Sequence, residues 1–213
     1  MSESEAHRGR DSLRPDYAVG LKNLTSKAWK RVLHVQAPYR WNLRRLKLGF
    51  VLDVGCGLGR NLLHLEGRGV GVDPNPECVA AARRAGLTAY SVDEFRSTYA
   101  EKPPQFDALL ISHVLEHMTP AEAVGLLATY LPYVRSGGRV VLITPQEAGF
   151  ASDSTHVTFL DFPALNSLMA NAYVEVISSF SFPFPRWIGK MFRYNEFVVV
   201  GRIIPQSPEK GLG

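Results

Sequence analysis

Short apolar runs alternate with helical patterns through most of the chain, and this alternation constrains the fold more than any other feature. Strand–helix alternation of this kind builds a parallel sheet with helices on both faces. The last two runs lack a helix-length pattern between them, which predicts an antiparallel hairpin. The sequence therefore predicts a doubly wound α/β fold with a mostly parallel, seven-stranded sheet. The predicted strands are Phe50–Val54, Gly69–Asp73, Ala89–Val92, Phe106–Ile111, Val140–Thr144, Val174–Phe180 and Phe197–Ile203.

Length and composition fit one globular domain. The chain has 213 residues, of which 46% are hydrophobic and 21% charged, which excludes a disordered chain. No apolar stretch approaches the roughly 18 residues of a membrane span. The polar start without a signal-peptide pattern and the presence of only two cysteines predict a cytoplasmic protein. We predict a tail at 1–20, a helical lid at 21–48 with a break at Pro38, the main domain at 49–205, and a tail at 206–213.

The charge is distributed unevenly. Residues 1–49 hold 11 Lys and Arg against 4 Asp and Glu, whereas residues 50–213 hold 13 against 16. The basic segment is either a surface for an anionic partner or a solvated helix face. Because it lacks the aromatic-plus-basic pattern of nucleic-acid modules, we expect no nucleic-acid partner.

A glycine-rich turn follows the first predicted strand in V-L-D-V-G-C-G-L-G-R. Gly55, Gly57 and Gly59 let the backbone approach a ligand closely, and ligands of open parallel sheets bind beyond the carboxyl ends of the strands. In the dinucleotide fingerprint G-x-G-x-x-G/A the last position is small, but Arg60 stands there. Asp53 precedes the glycines, which favours a ligand with a cationic group.

Carboxylates follow the next two predicted strands. Asp73 lies 20 residues after Asp53, where a carboxylate can accept hydrogen bonds from both hydroxyls of a ribose. In S-V-D-E-F, Asp93 is placed to bind an adenine amino group and Phe95 to cover the ring. These positions predict a nucleoside site along the sheet edge.

The sequence resembles the class I S-adenosylmethionine-dependent methyltransferases over roughly residues 48–204. The resemblance rests on V-L-D-V-G-C-G-L-G-R, V-G-V-D-P-N, F-D-A-L-L-I-S-H-V-L-E-H and L-P-Y-V-R-S-G-G-R-V-V-L-I-T-P, in that order. It implies a Rossmann-like fold and S-adenosylmethionine as cofactor. The glycines would then hold the methionine part, Asp73 the ribose and Asp93 the adenine. The predicted cofactor-binding residues are Asp53, Gly55, Gly57, Gly59, Asp73, Pro74, Asp93, Glu94 and Ser112.

The segment S-H-V-L-E-H-M after the fourth strand carries candidate catalytic residues. On a helix, His113, Glu116 and His117 would share one face. One histidine acts as a general base on an acceptor hydroxyl, or the three hold a divalent metal, or the segment only caps and packs a helix. It resembles the E-x-x-E-H metal site of small-RNA 2′-O-methyltransferases and ubiquinone-pathway O-methyltransferases, with His113 replacing the first Glu. Magnesium, manganese or a softer ion are the candidates, and His156 is a further candidate base or ligand.

Aromatic and basic residues outside the core fold are candidates for acceptor binding. The segment after the fourth strand lacks the Asn/Asp-Pro-Pro-Tyr/Phe pattern of amino-methylating relatives, which favours an oxygen acceptor. Aromatic rings beside arginines suit a sugar, a quinol or a partner subunit in a homodimer. The predicted residues are Tyr39, Trp41, Arg44, Arg186, Trp187 and Tyr194.

The acceptor prediction also draws on a second resemblance. L-I-T-P-Q-E-A-G-F-A-S-D-S-T-H-V-T-F and S-F-P-F-P-R-W-I-G-K-M-F-R-Y-N-E-F are similar to stretches of small sugar O-methyltransferases of bacterial polysaccharide synthesis. We therefore predict a sugar O-methyltransferase acting on a mannoside, with or without a divalent metal. The alternatives are an O-methyltransferase of quinols or other small aromatics, a non-catalytic cofactor-binding protein and, more distantly, an NAD-dependent reductase.

Overall fold

A computed structural model describes the backbone of residues 29–204 and the side chains from residue 36 onward. The predicted tails at 1–20 and 206–213 and the first part of the predicted lid lie outside these residues. The helices are α1 Trp29–Arg45, α2 Arg60–His64, α3 Pro76–Arg84, α4 Val92–Tyr99, α5 Pro120–Tyr130, α6 Glu147–Phe150 and α7 Phe162–Asn171. The strands are β1 Val51–Val54, β2 Gly69–Val72, β3 Ala89–Tyr90, β4 Phe106–Ser112, β5 Val134–Pro145, β6 Val174–Phe182 and β7 Glu196–Ile203. Short 3₁₀ helices cover Leu115–His117, Leu131–Tyr133 and Arg186–Lys190.

The strands form one seven-stranded sheet in the order β3-β2-β1-β4-β5-β7-β6. β1 to β5 run parallel, and β7 is inserted antiparallel between β5 and β6. The predicted fold class, including the hairpin at the end of the chain, is therefore confirmed. The strand order reverses at β1 and β4, where neighbouring connections leave toward opposite faces and open a crevice at the carboxyl edge.

The central strands are buried on both faces, which explains why they are continuous apolar runs. Along β4, Leu109 and Ile111 belong to one hydrophobic cluster, while Ala108 and Leu110 belong to another. This alternation follows from the two-residue period of a strand. Phe95 is fully buried in the first cluster. The prediction that Phe95 covers a bound adenine ring is therefore wrong, because its ring is part of the core.

The break predicted at Pro38 is absent. The helix α1 continues through Pro38 and ends at Arg45. Proline removes one helical hydrogen bond, but tertiary packing can compensate for that loss. Leu43 is buried in the second cluster and Tyr39 packs against it, so the apolar side of this helix extends past the proline.

The helix predicted directly after β4 is also corrected. The chain forms a single 3₁₀ turn at Leu115–His117, and Met118 is extended. The helix α5 begins only at Pro120, where Thr119 and Glu122 form a capping box. His113 adopts a left-handed backbone conformation with φ of 57°. His113, Glu116 and His117 therefore do not share a helix face.

No helix within residues 29–204 combines the length and the apolar character needed to span a membrane.

Candidate active site at the carboxyl edge of the sheet

The glycine turn after β1 leaves one side open. A Cβ at Gly55 would lie 2.3 Å from the Val114 side chain, so only glycine fits between this turn and the loop after β4. A Cβ at Gly57 would meet nothing within 4 Å, and its φ is 53°. The turn is thus closed against the protein at Gly55 and open at Gly57, which leaves room for a ligand against the backbone.

Asp73 connects the ends of β1 and β2. Its carboxylate accepts hydrogen bonds from the backbone N–H of Gly57 at 2.7 Å and of Asn75 at 2.9 Å. Burial raises the pKa of Asp73, and these two hydrogen bonds oppose the rise. The carboxylate is thereby held at the open side of the glycine turn, where its remaining lone pairs can accept hydrogen bonds from ligand hydroxyls.

Asp53 lies beneath the same turn and is fully buried. Asn61 donates a long hydrogen bond of 3.4 Å to Oδ1, while Oδ2 has no partner among the described residues. Burial raises the pKa of this carboxyl group to about 7. A buried oxygen without a partner carries a desolvation cost, so a cationic group of a ligand nearby would stabilise the charged form.

The segment after β3 forms a helix start. Ser91 caps α4, and Glu94 accepts hydrogen bonds from the Ser91 backbone N–H at 2.8 Å and from Arg83 at 2.7 Å. These contacts give Glu94 a capping role, and its predicted cofactor contact stays a prediction. Asp93 is exposed in the first turn of α4, and its contact with adenine stays a prediction. The other two predicted contacts also stay predictions: Pro74 is exposed after β2, and Ser112 is buried at the end of β4.

His113 lies between two carboxylates. Its Nε2 is 2.8 Å from Glu196 Oε1, and its Nδ1 is 3.3 Å from Glu116 Oε1. Burial alone would lower the pKa of His113, but the two carboxylates outweigh it and raise the pKa to about 10. A histidine that stays protonated at neutral pH cannot accept a proton, so the structure argues against His113 as the base.

Glu116, His117 and His156 come together instead. One ligand atom from each lies within 4.8 Å of the others. Glu116 is 1% exposed; its Oε1 faces His113 Nδ1, and its Oε2 has no hydrogen-bond partner among residues 36–204. The loop from Thr155 to Thr158 is fixed here, because the backbone N–H groups of Val157 and Thr158 donate to the Glu116 carbonyl. We call these three side chains the Glu-His-His cluster.

Hydrogen bonds fix the tautomers of both histidines in the cluster. His156 Nδ1 lies 2.8 Å from the Phe150 carbonyl, which can only accept. His117 Nδ1 lies 3.1 Å from Thr155 Oγ1, whose own proton is donated to Asp153. Both Nδ1 atoms are therefore donors, and in the neutral form of each ring the lone pair lies on Nε2. Burial lowers the pKa of His117, which favours the neutral form. Nε2 lone pairs beside a buried carboxylate can accept a proton or bind a metal ion.

The structure divides the predicted acceptor residues between the two edges of the sheet. Tyr39 donates a 2.6 Å hydrogen bond from its hydroxyl to the Tyr194 carbonyl, and Trp41 stacks on Phe182. Trp187 is 65% exposed on the loop between β6 and β7. These residues lie near the start of β7, at the carboxyl edge of the parallel strands. Arg186 is engaged by Glu147 and lies over the Phe197 ring, so its guanidinium is already partnered.

Arg44 is placed elsewhere. It donates to the His64 carbonyl at 2.8 Å and pairs with Glu66 at 3.0 Å. His64 ends α2, which returns toward the amino edge of the sheet. Arg44 therefore lies away from the site, and the prediction that it contacts the acceptor is corrected.

Several polar residues at the site escaped the sequence analysis. Glu196 is buried at the start of β7 and binds His113, and Asn195 donates to Gln146 Oε1 at 3.0 Å and to Ser181 at 3.0 Å. A lone acidic residue directly before an apolar strand was the signal available for Glu196. Gln146 and Asn195 give no comparable signal, because their role depends on the antiparallel pairing of β7 with β5.

Comparison with known proteins agrees with this geometry. Residues 51–138 match the model of a family described as a methyltransferase domain. The site residues from Asp53 to His117 lie within this stretch. This part of the chain is therefore similar to methyltransferase domains. No curated protein matches the chain.

Solved methyltransferase structures share the fold of this chain at low identity. A methyltransferase from Archaeoglobus fulgidus superposes with a TM-score of 0.58 at 16% identity, covering 81% of this chain and 99% of that one. Magnesium protoporphyrin IX methyltransferase from Synechocystis PCC 6803, solved with S-adenosylhomocysteine, gives 0.65 at 12%, covering 91% and 97%. The 1,6-didemethyltoxoflavin N1-methyltransferase from Burkholderia thailandensis gives 0.65 at 20%, covering 96% and 91%.

The ribose assignment of Asp73 is testable by substitution. Asp73→Asn should weaken binding of S-adenosylhomocysteine at least tenfold, because hydrogen bonds to charged groups contribute about 1.5–3 kcal/mol. Isothermal titration calorimetry measures the affinity, with a thermal melt to verify folding. The exposed Glu101→Gln is the control and should bind like the wild type. Unchanged affinity in Asp73→Asn would contradict the assignment.

The buried Asp53 predicts a pH dependence of stability. Its pKa is about 7 in the fold against 3.8 as the reference value, so the fold favours the protonated form. Stability from this group is fully present at low pH and is lost as pH rises from about 4 to about 7. Asp53→Asn removes that loss. Its free energy of unfolding relative to wild type should therefore be about 2–4 kcal/mol higher at pH 8 than at pH 4.

Urea unfolding of both proteins at the two pH values measures this gain, with the exposed Glu175→Gln as a control that should show none. A stability difference between wild type and Asp53→Asn that is the same at pH 4 and pH 8 would refute the raised pKa.

Proposed function

We propose that the protein transfers a methyl group from S-adenosylmethionine to a hydroxyl group, most specifically one of a sugar such as a mannoside. The observation that carries the oxygen acceptor is the Glu-His-His cluster at the carboxyl edge. A hydroxyl must lose its proton to become a strong nucleophile, and the cluster offers two imidazoles for that purpose.

The cofactor site fits the residues present. S-adenosylmethionine would supply an electrophilic methyl group on a sulfonium. Gly57 leaves open space for the ligand, Asp73 offers acceptors for ribose hydroxyls, and Asp53 has a buried oxygen without a partner for a cationic group. Val114 touches Gly55, so the glycine turn adjoins the loop that leads to the cluster.

In this proposal the Glu-His-His cluster removes the proton of the acceptor hydroxyl. In-line displacement requires the acceptor oxygen to approach the carbon opposite the sulfur, with the protein holding both groups in line. As the acceptor oxygen takes the methyl group, its proton would pass to Nε2 of His117 or His156, and S-adenosylhomocysteine would leave. Glu116 stabilises the resulting imidazolium, as a carboxylate beside a histidine does.

A divalent cation is compatible with the same residues. Two imidazoles and a buried carboxylate form a two-histidine, one-carboxylate set, and the Nδ1 of each histidine lies within hydrogen-bond distance of an oxygen atom, as in metal-binding histidines. Glu116, His117 and His156 would hold the ion, which would lower the pKa of the acceptor hydroxyl. We do not include His113 in this set, because both of its ring nitrogens face carboxylates.

Two observations support a sugar acceptor: the aromatic residues near the carboxyl edge, and the resemblance of two sequence stretches to sugar O-methyltransferases. Tyr39, Trp41, Trp187 and Tyr194 present aromatic rings near the carboxyl edge, and sugar CH faces stack on such rings. The stretches L-I-T-P-Q-E-A-G-F-A-S-D-S-T-H-V-T-F and S-F-P-F-P-R-W-I-G-K-M-F-R-Y-N-E-F resemble the 1-O-methyltransferase of the methylmannose polysaccharide pathway. A quinol or another small aromatic acceptor is the second candidate, because the same rings suit it. Cytoplasmic location and a homodimeric state stay predictions.

Turnover with labelled S-adenosylmethionine on a panel of mannosides and catechols tests the acceptor. We expect His117→Ala and Glu116→Gln to lower turnover about 100-fold or more, the usual contribution of a general base, with cofactor affinity within threefold of wild type. Val157→Ala, an exposed neighbour, is the control. Turnover that survives both substitutions would discard the cluster as the reaction centre.

Chelation separates the two roles of the cluster. Loss of turnover in excess EDTA that is restored by Mg²⁺ or Mn²⁺ supports the metal, whereas full turnover in EDTA leaves only the base. Methylation of catechols but not mannosides would replace the sugar assignment by the aromatic one.

A further inference from the structure

Two adjoining cavities lie at the amino edge of the sheet, opposite the methyltransferase site. They share Lys47, Leu48 and Gly49, which lead into β1, and have volumes of about 270 Å³ and 340 Å³. The second also contacts Arg135 and Arg139 at the start of β5. Together the two cavities form a continuous groove of a size that holds small ligands. We call it the amino-edge groove.

The groove is strongly basic. Five cationic side chains line it, and the one acidic side chain in its lining is Asp107. Glu66 adds a second acid by pairing with Arg44 from outside the groove. The cations exceed the acids by three even with Glu66 counted. The cationic residues are Arg44, Lys47, Arg68, Arg135 and Arg139.

Part of this charge is not neutralised by the fold. Asp107 pairs with Arg135 at 2.6 Å, and Arg139 donates to the Leu46 carbonyl. Lys47 makes no ion pair within residues 36–204. Arg68 makes only a 3.4 Å hydrogen bond from Nε to the Leu65 carbonyl, which leaves its two terminal nitrogens available.

Helix ends do not explain why these five cationic residues lie together in the groove. Cations in the last turn of a helix interact favourably with its dipole, which explains Arg44 in α1. Arg68, Arg135 and Arg139 come from the start of β2 and from β5, so three separate parts of the chain bring cations to one place. Leu48 and Leu65 form an apolar wall that reduces the local screening of these charges. Guanidinium groups in such a setting bind phosphate oxygens through paired N–H donors.

We propose that the amino-edge groove binds a small phosphate-bearing ligand of the size of a nucleoside diphosphate. This site is separate from the proposed methyltransferase function, because the groove and the Glu-His-His cluster lie at opposite edges of the sheet. Arg44 and Lys47 belong to the basic first 49 residues, so part of the positive charge of that segment lines the groove.

Calorimetric titration with inorganic pyrophosphate and with ADP tests the proposal. The protein is saturated with S-adenosylhomocysteine, so that ADP does not occupy the nucleoside site. We expect binding of both probes that weakens between 50 mM and 200 mM salt, and the double variant Lys47→Ala/Arg68→Ala should bind at least tenfold more weakly.

The matched control removes the same charge elsewhere. Arg84→Ala/Arg96→Ala changes two exposed arginines that line neither cavity and should bind both probes within twofold of wild type. Absence of binding to the wild type, or equal weakening in the two double variants, would overturn the proposal. Methyl transfer by Lys47→Ala/Arg68→Ala should equal that of wild type, so failure of the groove and failure of the proposed function are distinguishable.

Discussion

The hydrogen bond from the Gly57 backbone N–H to the Asp73 carboxylate holds the candidate active site together. It joins the loops after β1 and β2, which are adjacent parallel strands, at 2.7 Å. Since glycine at position 57 leaves open space above the backbone, the same contact that fixes the turn also places a carboxylate beside that space. The proposed cofactor binding and the local fold would therefore depend on one interaction, which lies beside the point where the strand order reverses between β1 and β4.

The turn after β4 separates two roles that the sequence assigned to one set of residues. His113 is positioned by Glu196 and Glu116 and stays charged, whereas burial lowers the pKa of His117 and favours its neutral form. The Nδ1 atoms of His117 and His156 are bonded to threonine and backbone oxygens, which leaves Nε2 as the remaining ring nitrogen of each. His117 can therefore accept a proton or bind a metal ion at neutral pH, whereas His113 cannot accept a proton.

The sequence predicted the sheet well because buried strands and glycine turns leave local signals. The strands, the final hairpin and the position of Asp73 after β2 all follow from such patterns. Pro38, Phe95 and the segment from His113 to His117 were misread, since each depends on packing between distant elements. Phe95 looked available to cover a ligand ring but is in the core, and Glu196 reaches His113 only because β7 pairs with β5.

A crystal structure with S-adenosylhomocysteine bound tests the central claim most directly. Our account predicts ribose hydroxyls within hydrogen-bond distance of Asp73 and the sulfur facing the turn that carries Glu116 and His117. A nucleoside seen at another edge of the sheet, or a sulfur directed away from that turn, would contradict it.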